Sequence, residues 1–389
     1  MDKSVWVFAV NHGIDDQYSL HLIINELLSS INHPENDGWN ESLNFPLSIE
    51  EGISLSSLTP QTKTFEWIAH QVFNSVRSPI MVPNAIRRLD KNEAFARYNI
   101  EKRRTIIRLF SIPKTVMNSL QEYLRKLSED SRQKPTITHL LSAVMIYCTN
   151  IAIKHFGEVR RDENDYGDGN SLLRFLLSVG LRPYSKLQKN TKGPISDFTW
   201  GGVACASGAV DFIVPADDTI TNTLQKLLSL TEGSKIDDLI EILRNPIRQT
   251  IEYCAQKSRD IIQESQWVPE SVRLFDIGMK SVDILQAVEI DANNEKSFGR
   301  GYSCGVSNMG KVNFIQKETA ESATKQLSVE ECFYGTSHHR NGVLCQLSCM
   351  TLDKAFYGCL QFPSPLVTAE EAELFQNMVE RFIKLLPYF

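Results

Sequence analysis

The sequence lacks the residue patterns that mark several large enzyme classes. It contains no G-x-x-x-x-G-K-[ST] loop and no G-x-G-x-x-G run after a strand, and its G-x-S-x-G run at 301–305 falls largely in the stretch 302–310 that we predict as a strand, not at a strand-to-helix elbow. Nucleotide hydrolysis on a P-loop, nicotinamide chemistry on a dinucleotide-binding turn and serine hydrolysis each start from one of these patterns. The chain therefore offers no starting residue set for any of the three.

The sequence also lacks paired cysteines. Its eight cysteines include no C-x-x-C pair, and most stand among apolar residues, as Cys148 and Cys345 do. Scattered cysteines in apolar surroundings predict buried, reduced thiols of an intracellular protein. The adjacent His338 and His339 would point to opposite faces of a strand, so we interpret them as solvated loop residues. We expect no bound metal.

Long apolar runs and basic blocks are missing too. No stretch approaches the roughly eighteen apolar residues of a membrane span, and residues 1–10 are too short for a signal peptide. The net charge of −6 provides no field that would attract nucleic acid. A chain that is 42% hydrophobic and 23% charged is typical of a globular protein. We expect a cytoplasmic protein without a transmembrane segment or a nucleic-acid partner.

The most informative pattern is an H-x-x-x-D run formed by His12 and Asp16. It follows a short apolar stretch, residues 4–10, whose length and β-branched residues predict a strand. Apolar residues then repeat at helical spacing from Leu20 to Ile31, and Asp16 or Ser19 could cap that helix. The imidazole would therefore sit on a turn between two rigid elements.

The remaining segments mix strands and helices without regular β-α-β alternation, which predicts an α+β class with mixed sheets. A composition change near residue 100 divides the chain into a first region, 1–100, and a second, 101–389. We predict strands at 105–112, 176–184, 302–310 and, as a pair, 342–362, and helices at 65–76, 134–156, 219–230, 236–264 and 368–387.

In this order, the segments resemble the CoA-dependent acyltransferase superfamily, which includes chloramphenicol acetyltransferase and peptide-synthetase condensation domains. Besides the H-x-x-x-D run, three segments carry the resemblance: the Thr-rich helix start at 135–139, the Leu-Arg-Pro-Tyr step at 181–184, and Ser307-Asn308-Met309-Gly310. The Ser-Asn-x-Gly step is closest to the fungal alcohol acetyltransferases. The resemblance covers nearly the whole chain and implies a two-lobe, chloramphenicol acetyltransferase-like architecture.

The sequence departs from the superfamily pattern at three points. Gln17 stands where most members have Gly, and Asn11 stands where many have a second His. The H-x-x-x-D run begins twelve residues from Met1, whereas relatives carry it well inside the chain. The resemblance therefore implies a first lobe, 1–100, that carries the motif but is shortened, followed by a second acyltransferase-like lobe, 101–389.

The resemblance also implies a set of roles. His12 would be the general base that takes the proton of an acceptor, without a covalent acyl-enzyme, and neutral imidazole suits that task. Asp16 would hold the turn through an arginine, for which Arg182 is the candidate. Ser307 and Asn308 would donate hydrogen bonds to the tetrahedral oxyanion, unless they form only a turn. Acetyl-CoA would be the acyl donor.

Three functions remain open from the sequence. The first is transfer of an acetyl or short acyl group from CoA to a small alcohol. The second is the same chemistry with an amine, such as a sphingoid base or a polyamine. The third is an inactive binding remnant. We expect a monomer whose C-terminal amphipathic helix packs on the sheet, although fungal relatives can use such helices on endoplasmic reticulum or lipid droplets.

Overall fold

A computed structural model describes most of the second region and two short parts of the first. The described residues are 4–9, 17–32, 102–131, 134–155, 172–180, 207–215, 217–230, 235–263, 286, 289–290, 292–293, 299–314, 327–337 and 342–389. The predicted helix at 65–76 and the predicted boundary near residue 100 lie outside these residues. Both stay predictions.

A six-stranded sheet forms the centre of the described fold. Its strands follow the order β1-β6-β5-β4-β2-β3, with β4 next to β5 in the middle. Both β5 and β2 pair with β4 in parallel, while the three outer pairs are antiparallel. The strands are β1 (Arg104–Ile112), β2 (Leu172–Gly180), β3 (Ser207–Pro215), β4 (Arg300–Val312), β5 (Gly342–Leu352) and β6 (Ala355–Ser364).

Helices account for most of the remaining described residues. Of the helices whose bounds the structure describes, one lies in the first region and five lie in the second, and a short 3-10 turn at Leu386–Tyr388 follows the last of them. The mixed α+β class is confirmed, as are the predicted helices at both ends of the described chain. The helices are α1 (Gln17–Asn32), α2 (Lys114–Asp130), α3 (Ile137–His155), α4 (Asp218–Ser229), α5 (Lys235–Gln263) and α6 (Ala369–Leu385).

The main core lies between one face of the sheet and the helices of the second region. The helix α3 packs against β4 and β2 and also contacts α5 and α6. By length and composition its residues 137–154 could cross a bilayer, but 72% of that stretch is buried inside the protein. The helix α3 is therefore a core helix, and its residues are apolar because neighbouring elements surround it.

The apolar stripe of α6 is also buried in the core. Thr368 caps the helix through a capping box with Glu371, and Phe375, Val379 and Phe382 are buried. The helix contacts β1 and α3. The prediction that it packs on the sheet is confirmed, so its buried stripe does not face a membrane surface.

Residues 4–9 do not form the predicted strand. They pair with none of the six strands, and their side chains are exposed, with Val5 at 91% and Val7 at 88% of full exposure. A strand needs a neighbour that accepts its backbone hydrogen bonds, and local β-propensity cannot supply one. The expectation was wrong because it rested on propensity alone.

The structure differs from two further predictions, one on the cap of α1 and one on the bounds of a strand. Ser19 lies inside α1 and is fully buried, so it does not cap that helix. The strand β2 begins at Leu172, four residues before the predicted start, and the Arg-Pro step that was expected at its end lies outside the described residues. The strand β3 was not predicted, although the alternation in Ser207–Pro215 is a strand signal.

The N-terminus of α3 is capped by a histidine. The Thr136 amide donates to Nδ1 of His139 at 3.1 Å, the role that Glu or Gln plays in a capping box. An accepting Nδ1 must be unprotonated. Burial, and secondarily the charge of Arg259, lowers the pKa of His139 to about 4. The cap is therefore neutral and intact at physiological pH.

Substituting Gly358 tests the packing of β6 against β1. Gly358 lies opposite Phe110, and a Cβ at this position would overlap the Phe110 ring. We expect Gly358→Ala to lower the free energy of unfolding by about 1–3 kcal/mol in urea denaturation, because the core is overpacked. The control is Gly301→Ala, since a Cβ at Gly301 meets nothing within 4 Å. Equal losses in both variants would contradict the packing argument.

The His139 cap predicts how stability depends on pH. The folded protein resists protonation of His139 down to about pH 4, whereas the unfolded chain accepts the proton near the ordinary pKa of 6.5. The contribution of His139 is therefore present above pH 6.5 and is lost toward pH 4, on the order of 3 kcal/mol. Urea titrations of wild type and His139→Gln between pH 7 and pH 4.5 measure it. The wild type should lose more stability than the variant, because Gln can accept the same hydrogen bond but does not titrate, and parallel curves would refute the buried neutral state of His139.

Candidate functional site

The candidate base and its partners lie outside the described residues. His12, Asp16 and Arg182 are among the residues that the structure does not describe, so their roles stay predictions. The helix α1 begins directly after Asp16, as expected, and packs against β4. There His21 of α1 meets Phe314 edge to face, with ring centroids 4.9 Å apart. The H-x-x-x-D run is therefore joined to a helix that contacts β4.

Ser307 and Asn308, the two other candidate residues, lie within β4 and not at its end. Pairing with β5 continues to Val312 across an irregularity between Asn308 and Lys311, at which Gly310 has a φ of +80°. Only glycine adopts this conformation without strain, so the glycine of the Ser-Asn-x-Gly step permits a bulge instead of a strand end.

Ser307 and Asn308 point to opposite faces of the sheet because side chains alternate along a strand. Asn308 points to the helices. Its Nδ2 donates to Oγ1 of Thr138 on α3 at 3.0 Å, and its Oδ1 accepts from the Gly310 amide at 2.9 Å. Asn308 therefore fixes the bulge and ties β4 to the N-terminus of α3.

Ser307 points to the second face, away from the helices of the second region, and is only 5% exposed. The register of β4, β5 and β6 places other buried polar side chains on the same face. All are hydrogen-bonding and uncharged, in contrast to the apolar core on the helix side. We call this set the polar wall; it consists of Ser303, Ser307, Gln346, Ser348 and Gln361.

The polar wall is closely packed. The Gln346 amide lies over Gly305, where a Cβ would come within 2.8 Å of its Oε1. Gln361 accepts from the Thr336 amide at 3.2 Å and donates to the Cys359 carbonyl at 3.1 Å. The Ser348 hydroxyl oxygen is buried and has no hydrogen-bond partner in the part of the chain that is described. Fixed neutral donors in a site of low dielectric can stabilise an oxyanion without having to reorganise.

A tyrosine that the sequence analysis did not single out contacts the backbone of Ser307. The Tyr334 hydroxyl lies 2.6 Å from the Ser307 carbonyl and 3.0 Å from the Cys349 carbonyl. Burial raises the pKa of Tyr334 well above its ordinary value, so the hydroxyl keeps its proton and donates. No local pattern marks this residue, since it lies in a segment without helix or strand.

The described cysteines are free thiols, as predicted. Six are buried and Cys332 is partly buried. Burial raises the pKa of Cys304 to about 12 and that of Cys332 to about 11. These thiols remain protonated and are poor nucleophiles, because the thiolate is the reactive form. In the described ranges no group of three or more His, Cys, Asp and Glu side chains is arranged to hold a metal ion.

The polar wall has a signal in the sequence. In β5 the polar residues Gln346 and Ser348 alternate with the apolar-side residues Cys345, Leu347 and Cys349. Alternation without charge is typical of a strand whose second face is polar but covered. The pattern could have indicated the wall, although not which strands combine to build it.

Comparison with known proteins rests on structure alone. No family model matches the sequence, and no curated protein matches it either. Solved structures do match. The trichothecene 15-O-acetyltransferase TRI3 of Fusarium sporotrichioides matches with a TM-score of 0.58 and 9% identity, over 96% of this chain. The chain spans 64% of the length of that acetyltransferase.

An epimerization domain, from the third module of tyrocidine synthetase B, also matches. Its TM-score is 0.52 and its identity 8%, over 97% of this chain and 68% of that domain. Identities this low show the fold and nothing finer. The chain has the mixed α+β, chloramphenicol acetyltransferase-like fold that acetyltransferases and peptide-synthetase domains share.

Proposed function

We propose that this chain is an acyltransferase that moves an acetyl or other short acyl group from CoA to an alcohol, with His12 as the general base. The observation that carries the proposal is the combination of this fold with an H-x-x-x-D run whose following helix packs on β4, the strand of Ser307. The same strand supplies Ser303 and Ser307 of the polar wall.

In the proposed reaction, His12 takes the proton of the acceptor hydroxyl as its oxygen attacks the thioester carbonyl. The Ser307 hydroxyl stabilises the oxyanion that develops. The intermediate collapses, the C–S bond breaks, and the CoA thiolate takes the proton from His12. Asp16, paired with Arg182, holds the turn, and Asn308 supports Ser307 by fixing the bulge.

Two observations favour an alcohol over an amine as acceptor. The buried polar side chains that the structure describes include no carboxylate, whereas a protonated amine binds best beside one. In addition, one solved structure with this fold is an O-acetyltransferase. The amine acceptor and the inactive binding protein remain the alternatives, and the experiment below separates them.

We also propose a two-lobe organisation, with a first lobe at 1–100 that is shortened and a second lobe at 101–389, and a monomer. The sheet and helices described between residues 102 and 389 support the proposed second lobe. We also propose cytoplasmic localisation, because α3, the most apolar of the described helices, is a core helix. Association with endoplasmic reticulum or lipid droplets finds no support in α6, whose apolar stripe is buried.

Removing the proposed base is the direct test. Purified wild type, incubated with labelled acetyl-CoA and a panel of alcohols and amines, should acetylate alcohols preferentially. His12→Ala should lower kcat/KM by about 10²–10⁴-fold, the typical contribution of a general base. His338→Ala is the control, because we interpret His338 as a solvated loop residue. Amines acetylated in preference to alcohols would favour the second function, and CoA binding without turnover would favour the binding protein.

The proposed oxyanion contact predicts the behaviour of a Ser307 variant. Ser307→Ala should lower kcat by about 10²–10³-fold while the KM for acetyl-CoA changes little, because the contact strengthens only in the transition state. The control is Ser303→Ala, since Ser303 lies on the same face of β4 and accepts from the Arg174 amide at 3.2 Å. Equal kcat values for Ser307→Ala and wild type would refute the contact.

A further inference from the structure

The segment from 327 to 337, which we call the strap, crosses the second face of the sheet. It contains no helix or strand, yet hydrogen bonds tie it to elements that are distant in sequence. Its hydrogen bonds reach α1, β1, β4, β5 and β6. A segment held at so many points has little freedom to shift.

Both ends of the strap are anchored. At one end the Asn32 side chain of α1 makes two hydrogen bonds with Leu327, accepting from its amide at 2.8 Å and donating to its carbonyl at 3.1 Å. At the other end the Ser337 hydroxyl lies 3.1 Å from the Thr105 hydroxyl of β1. The strap therefore links the helix that follows the H-x-x-x-D run to the far edge of the sheet.

The middle of the strap lies flat on β6. The Tyr357 hydroxyl donates to the Glu330 carbonyl at 3.0 Å, and the Phe333 ring stands edge to face on Tyr357 with centroids 5.3 Å apart. At Gly335 a Cβ would come within 2.9 Å of the Cys359 sulfur. The absence of a side chain at this position allows the strap to approach closely and brings Tyr334 down to the sheet.

Tyr334 reaches between two parallel strands at the bulge. Its single hydroxyl proton is shared by the carbonyls of Ser307 on β4 and Cys349 on β5, next to the point where the register shifts after Asn308. Buried carbonyls without a donor are costly, so the hydroxyl both satisfies them and holds the strands together. The ring is buried among Val312, Met350 and Leu352.

We propose that Tyr334 is a positioning residue for acyl transfer, which holds the backbone of Ser307 so that its hydroxyl meets the oxyanion. The inference rests on the proposed function of Ser307. The Tyr334 hydroxyl touches the Ser307 backbone and not the reacting atoms, so it acts only through Ser307. A displacement of about 1 Å at a reacting group can lower a rate by a hundredfold, which makes such a restraint effective.

The test compares two tyrosines of the same region. Tyr334→Phe and Tyr357→Phe each remove one hydroxyl: that of Tyr334 donates to two buried carbonyls of the sheet, and that of Tyr357 donates to the partly buried Glu330 carbonyl of the strap. We expect both variants to lose thermal stability, Tyr334→Phe more so because two buried carbonyls lose their donor. Only Tyr334→Phe should lower kcat, by about tenfold, with the KM for acetyl-CoA unchanged, because positioning acts on the transition state.

A double variant separates positioning from general loosening. In a Ser307→Ala background Tyr334→Phe should cause no further loss of kcat, because the group that it positions is gone. A tenfold loss that persists in this background would overturn the proposal. So would equal losses of kcat in Tyr334→Phe and Tyr357→Phe, which would mean that any weakening of the strap has the same effect.

Amide hydrogen exchange gives a readout that does not depend on activity. Tyr334→Phe should increase exchange in β4 around Ser307, whereas Tyr357→Phe should leave that stretch protected. Unchanged exchange in Tyr334→Phe would overturn the proposal even if the enzyme is active. Conversely, the wild type could lack transferase activity while the two variants show the expected exchange pattern. This result would reject the proposed function but would still support the inference that Tyr334 restrains β4.

Discussion

The parallel pairing of β4 with β5 is the constraint on which the rest of the described structure depends. It fixes which residues of the two strands share a face, and therefore places Cys304 and Val306 against the helices while Ser307 and Ser348 face the other way. The helix layer then closes the first face with apolar contacts. The second face is left for polar side chains, and that face carries the proposed chemistry.

Burying a polar face costs free energy, and the structure shows how the cost is limited. The side chains of the polar wall are neutral, which avoids the much larger desolvation penalty of a charge. The strap supplies partners to Gln361 through Thr336, and to the backbone carbonyls at the bulge through Tyr334. A polar, covered and restrained surface of this kind is suited to stabilising a transient charge, because its dipoles are already oriented.

Sequence patterns predicted the long elements well. Periodicity placed α3, α5 and α6 to within a few residues, since each has a wide apolar stripe that must be buried. Patterns failed where a distant partner decides the structure. Residues 4–9 have strand propensity but pair with none of the six described strands, and the Ser-Asn-x-Gly step looks like a strand end but is a bulge inside a strand. The strap has no periodicity because side-chain hydrogen bonds, not a ladder, hold it.

The sequence by itself determined the α+β class, the core helices and the presence of an H-x-x-x-D run before an amphipathic helix, because local periodicity and local spacing carry that information. Only the tertiary structure decided that Ser307 and Asn308 face opposite ways, that Asn308 binds Thr138, and that Tyr334 reaches Ser307 from 27 residues away. These facts depend on strand register and on contacts between distant segments. A pattern read along the chain cannot specify either, since both are set by the packing of the whole sheet.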